Sequence, residues 1–151
     1  MGAKHEASLK ITGRVRLIDT KTGEVLREVD NLEMNVGFEW IKSVIHNTAD
    51  TEAGVNFMEY TAVGDDNTAP VASQTALISQ LGSRIQGTYA SGATGICVIT
   101  ATHTAAGAWA LVEAGLFSEA TGGTMLARVI FTVINLSASD EITVEWTITY
   151  S

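Results

Sequence analysis

The stretch "EAGLFSE" sets Glu113 and Glu119 on either side of an apolar run. Paired carboxylates are the tools of glycoside hydrolysis, one as acid and one as base or nucleophile. Glu113, however, lies inside a segment that reads as a strand, where a buried charge demands a partner. Arg128, facing it across "ATGGT", is placed to supply one, so the pattern favours a structural ion pair over catalytic acids. Among the histidines, His5, His46 and His103, none has a second histidine or cysteine at i+2, i+3 or i+4, so paired-ligand metal spacing of that kind is absent. Asp65-Asp66-Asn67 offers the oxygen donors that suit calcium but lacks the spaced acids of an EF-hand, and reads as an exposed Asx turn. Cys97 is the only cysteine and sits in the apolar "GICVITAT". It is expected to be an inert thiol, with no intrachain disulfide. No serine is marked as an activated nucleophile. The aromatics are scattered singly and read as core and interface anchors, with a carbohydrate platform on Trp109 or Tyr89 as the other use.

The glycine pair Gly122-Gly123 poses a similar choice. A phosphate-binding loop places glycines between a strand and a helix, usually with a lysine. Here the glycines are followed by "MLARVIFTVI", rich in β-branched residues, and no lysine occurs after Lys42. The pair is therefore expected to turn a hairpin.

These residues must be held by strands. "LKITGRVRLID" alternates, with Ile11, Gly13, Val15 and Leu17 on one side and Lys10, Thr12, Arg14 and Arg16 on the other. After the turn "DTKTGE", "EVLREVDNL" runs back as a second strand. "MNVGFEWIKSVIHNT" changes period: Val36, Trp40, Ile41, Val44 and Ile45 fall at helical spacing behind Asn35 as a cap. "FMEYTAVG" reads as a strand, "DDNTAPVASQ" as a turn-rich connection, and "QTALISQLGSRIQG" as either a short helix or an irregular strand. "ASGATG" is a loop. "ICVITATHT", "WALVEAGLFS", "MLARVIFTVIN" and "ITVEWTITY" complete the series, the last with Ile142, Val144, Trp146, Ile148 and Tyr150 on one face. Some seven strands and one helix in 151 residues predict a single domain that is mainly β, an antiparallel β-sandwich, jelly-roll-like, with one short helix packed on it. Residues 1–9 are expected to form an arm.

Composition narrows the function classes. The net charge of −8 disfavours a nucleic-acid partner. No apolar run approaches the roughly 18 residues of a membrane span, and the N-terminus lacks the apolar segment of a secretory signal, so a soluble protein of cytoplasmic synthesis is expected. Charged residues are only 17% of the chain, against about 25% in ordinary domains. A sparsely charged surface suits a protein that covers itself with copies or partners. Residues 1–42 are neutral, whereas residues 43–151 set Arg84 and Arg128 against ten acids, an asymmetry that head-to-tail contacts between copies can exploit.

Three stretches together resemble small structural proteins of tailed-phage virions: "GRVRLIDTKTGEVLREVDNLEMNVGFEWI", "YTAVGDDNTAPVASQTALISQL" and "EAGLFSEATGGTMLARVIFTVINLSASDEITVEWTITYS". The resemblance implies a non-enzymatic component of the virion, made in the host cytoplasm. It points first to a capsid decoration (cement) protein that binds the major capsid protein as a symmetric oligomer such as a trimer. A tail-fibre or baseplate module bound to tail proteins is the alternative, and a glycan-binding β-sandwich a further one. Because the chain closes at Ser151 in its last strand, a small module is expected rather than a long fibre. The resemblance brings no catalytic, metal-binding or cofactor-binding residue with it. The hairpin Lys10–Arg27 and the arm are the expected contact region.

Overall fold

The computed structural model describes residues 10–37 and 58–150. Ten strands run through them: β1 (Ile11–Asp19), β2 (Val25–Asp30), β3 (Leu32–Glu33), β4 (Tyr60–Gly64), β5 (Gln80–Gln86), β6 (Thr88–Ser91), β7 (Ile96–Thr104), β8 (Trp109–Phe117), β9 (Met125–Leu136) and β10 (Glu141–Tyr150). They form two antiparallel sheets of five, ordered β2-β1-β10-β7-β6 (sheet A) and β3-β9-β8-β4-β5 (sheet B). The fold is a β-sandwich. Hairpins β1–β2, β4–β5, β6–β7 and β8–β9 stay within a sheet, and the chain crosses between sheets from β2 to β3, β5 to β6, β7 to β8 and β9 to β10.

The centre of sheet A joins the two ends of the described chain. β1 pairs with β10 from Ile11↔Tyr150 to Asp19↔Ile142 without a register shift. Val15, Leu17, Ile142, Val144, Trp146 and Ile148 meet Val63, Ala114, Leu116, Ala127 and Val129 of sheet B in the main core. Full burial of large apolar side chains contributes about 1.5–3 kcal/mol each, so period-two alternation in these strands is what fixes which face goes inward.

Sheet B is covered on its other face as well. Alternation along β4 and β8 turns Ala62 and Phe117 away from the main core, where they pack with Met34, Leu77 and Met125 in a smaller cluster. Leu77 is the one buried side chain of the 65–79 connection and pins this turn-rich segment onto sheet B.

Two expectations are corrected. "EVLREVDNL" is two strands, because the Asn31 amide donates to the Gly13 carbonyl while the Met34 amide donates to that of Leu126, moving the chain from sheet A to sheet B between them. The ambiguous "QTALISQLGSRIQG" contains strand β5, and β6, which sequence periodicity did not reveal, lies between it and the 92–95 loop. Ten strands therefore replace the expected seven. A short helical segment opens at 35–37; the rest of the helix expected after Asn35, with Trp40, Ile41, Val44 and Ile45, lies outside the described residues, as does the arm.

Candidate contact surface and the buried polar groups

The Glu113–Arg128 pair exists and is fully buried. Arg128 Nη2 stands 2.8 Å from Glu113 Oε2, with both side chains inaccessible to water. Arg128 Nε donates to the same oxygen at 2.9 Å. The remaining valences tie down the 65–79 connection. Glu113 Oε1 accepts from the Ser79 amide at 2.9 Å, and Arg128 Nη1 donates to the Thr68 carbonyl at 2.8 Å and to Gln74 Oε1 at 3.2 Å. Gly64 is paired with Glu113 on the neighbouring strand. A Cβ there would collide with the Ser79 carbonyl and with Glu113 Oε1, so the missing side chain is the space the carboxylate occupies.

Glu119 is held elsewhere. It follows β8 in the turn to β9, where Arg84 Nη1 donates to its backbone carbonyl at 3.0 Å and to that of Gly122 at 2.6 Å, with the guanidinium lying over the Phe117 ring. The strand from Glu113 to Phe117 alone spans about 13 Å. The two carboxylates thus sit on different structural tasks: Glu113 anchors a loop, and Glu119 belongs to the turn. Gly122 and Gly123, both at φ 66°, make that turn as expected.

His103 is a second buried polar group. It lies on the inner face of β7, and its Nε2 shares a 2.6 Å hydrogen bond with Thr61 Oγ1 of β4, linking the two sheets through the core. Burial lowers its pKa to about 4, so it is neutral at physiological pH. Nothing in the sequence around Thr61 announces this partner, since the contact crosses sheets. Asp66 makes the expected Asx turn, accepting from the Thr68 amide at 2.8 Å, and hydrogen bonding from Thr68, first from its side chain and then from this amide, holds the carboxyl below the ordinary value. Cys97 is half-buried, and burial raises its pKa away from the thiolate. His5 and His46 lie outside the described residues. Among the described residues, no group of three His, Cys, Asp or Glu side chains is placed to hold a metal ion, and no helix is long and apolar enough to cross a membrane.

Four of the five cations in the hairpin expected to contact partners, all but Lys10, are occupied. Arg14 pairs with Glu28 at 2.8 Å and Asp30 at 2.9 Å. Arg16 pairs with Glu145 at 2.7 Å and Lys21 with Asp140 at 3.6 Å. Arg27 donates to the Thr132 and Val133 carbonyls of β9. Arg16 and Lys21 thereby join the neutral first part of the chain to the acidic remainder within one molecule. The charge asymmetry is partly spent internally rather than left for head-to-tail contacts.

A different end of the sandwich is open. Tyr89 of β6, Cys97 of β7 and Tyr150 of β10 share the inner side of sheet A, paired with or next to the core row. Tyr150, expected to be buried with that row, is instead 40% exposed, and Tyr89 is 59% exposed. They border a shallow depression of about 370 Å³ together with Ser91, Thr94 and Gly95. The Tyr150 hydroxyl has a raised pKa, chiefly through burial. Trp109, the other aromatic considered for a platform, packs half-buried against the main core. Ile11 pairs with Tyr150, so the chain enters β1 beside this opening.

No protein-family model matches the chain, and neither a curated protein nor a solved structure is detectably similar to it.

Proposed function

We propose that this chain is a structural component of a bacteriophage virion, most simply a decoration protein that binds assembled capsid subunits and stabilises them. The virion setting is carried by the resemblance of the three sequence stretches. The observation that supports a structural role is the use made of the buried ionisable groups. Glu113 is bound by Arg128 and a loop amide, and His103 by Thr61, so each serves to hold one part of the sandwich to another. Such a body acts through its exterior. A protein that binds only the assembled shell stabilises it by mass action, without any chemistry of its own. Co-sedimentation with undecorated capsids is the test, over a range of salt concentrations. Binding at many copies per shell supports the reading; absence of binding in all conditions removes it, and exclusive recovery with tails moves the protein to the fibre or baseplate.

The Tyr89–Tyr150 opening favours a second reading, recognition of a glycan. Aromatic faces stack on sugar rings, and the Ser91 and Thr94 hydroxyls border the same depression. A glycan array, followed by Tyr150→Ala on any hit, decides it: silence across the array ends this reading.

A further inference from the structure

A β-sandwich of two open sheets has four edge strands, here β2, β6, β3 and β5. Each edge presents unpaired backbone groups that can template association unless charge, proline, a bulge or brevity blunts it. β2 carries Arg27, Glu28 and Asp30 and has a register shift opposite Leu17/Ile18. β3 is two residues long. β5 is broken by Gly82 at φ 66° and by a register shift against β4, and carries Arg84. β6 has none of these guards beyond its modest length. Its residues Thr88-Tyr89-Ala90-Ser91 are uncharged and all exposed, they pair with β7 in continuous register, and the following loop, 92–95, is uncharged too. Among the described strands, β6 is bonded on one side only.

We propose that β6 is a self-association edge, pairing antiparallel with β6 of a second copy so that sheet A continues across a two-fold axis. Three observations select a second copy as the occupant. The chain carries a net charge of −8, so copies repel one another except along a neutral seam, and β6 with its loop is such a seam. The side chains flanking Tyr89 are small, which lets two strands approach to the ordinary spacing of about 4.8 Å. Tyr89, at 59% the most exposed large apolar or aromatic side chain among the described residues, gains cover from its counterpart beside the axis. Because the same patch meets itself, the assembly closes as a dimer, not as the trimer offered as an example under the resemblance to decoration proteins. A four-residue seam falls at the small, weak end of protein interfaces, so association should depend on concentration. The inference rests on the sheet edges and holds for either virion position.

Sedimentation of the full chain across a dilution series tests it, alongside hydrogen exchange at residues 88–91. The expected result is a monomer–dimer equilibrium in which these amides become protected as concentration rises. Ala90→Lys and Thr88→Lys should each weaken dimerisation about tenfold or more by placing like charges at the seam, whereas Ala90→Ser should leave it intact. Both positions are exposed, and far-ultraviolet circular dichroism of the monomers verifies that the variants fold. A protein that stays monomeric throughout, a trimer, or a dimer that both lysine variants leave undisturbed would overturn the proposal.

Discussion

Two arginine–carboxylate pairs on opposite outer faces of the sandwich have nearly the same geometry and different surroundings. Arg128 and Glu113, on sheet B, meet at 2.8 Å with no water access. Arg16 and Glu145, on sheet A, meet at 2.7 Å with side chains 37% and 21% exposed. What separates them is solvent. The 65–79 connection roofs the first pair and lends it further hydrogen bonds, whereas the second lies across β1 and β10 in partial contact with water. A charge removed from the roofed site leaves its partner stranded; one removed from the open site leaves its partner hydrated.

The largest effect is therefore expected from breaking the roofed pair. Arg128→Met should cost about 3–5 kcal/mol, the usual penalty for stranding a buried charge, read as a fall in the urea midpoint. It should also raise hydrogen exchange at residues 66–79, since the guanidinium holds Thr68 and Gln74. Glu113→Leu combined with Arg128→Met should recover much of the loss, because a buried ion pair and an apolar pair of similar volume are often close in stability. If the double variant is as unstable as the single one, the hydrogen bonds to the connection outweigh the charge pairing.

His103 tests the same idea without an ion pair. It is buried and neutral, and its pKa lies at about 4 in the fold against about 6.5 in an unfolded chain. Between these values the unfolded state binds a proton that the folded state does not, so stability rises with pH. The contribution is complete above about pH 6.5, declines as pH falls, and is gone near pH 4, a difference on the order of 3 kcal/mol. Urea titrations at a series of pH values, compared between wild type and His103→Asn, isolate it from the carboxylates. A variant whose stability keeps the wild-type slope over that interval would show that His103 does not carry the dependence.

The sequence made some of this visible and hid the rest for definite reasons. Period-two alternation exposed β1 and β10, and an acid within an apolar strand pointed to Arg128, because a buried charge needs an opposite charge within a hairpin's reach. Cross-sheet contacts have no such local signature. Thr61 and His103 lie 42 positions apart and meet through the packing of two sheets. β6 has no such signature because four uncharged, exposed residues with a single aromatic among them make no hydrophobic pattern. Tyr150 continues the buried row of β10 in sequence, yet it occupies the strand's end at the open side of the sandwich, and a period cannot tell where the opposite sheet stops.

Gly64 offers an intermediate perturbation of the roofed site that leaves both charges in place. In Gly64→Ala the added methyl would press on the Ser79 carbonyl and Glu113 Oε1. The backbone of the connection must shift, at a cost of about 1–3 kcal/mol. Exchange should quicken at Ser79, whose amide bonds Glu113. A loss of stability without faster exchange there would place the strain in β4 instead.

The smallest effect belongs to the open pair. Arg16→Met removes one partner of a contact that water can replace, so the loss should be about 0.5 kcal/mol, with most of it gone at high salt as screening takes over. Arg14, more exposed and shared between Glu28 and Asp30, should show no measurable change in urea midpoint when replaced by alanine. The contrast with Arg128 is sharpest in salt. The penalty of Arg128→Met should persist at ionic strengths that erase that of Arg16→Met, because counterions reach Glu145 but not a carboxylate enclosed by the connection. If both penalties fade together, water and ions reach Glu113 after all, and burial is not what distinguishes the two faces.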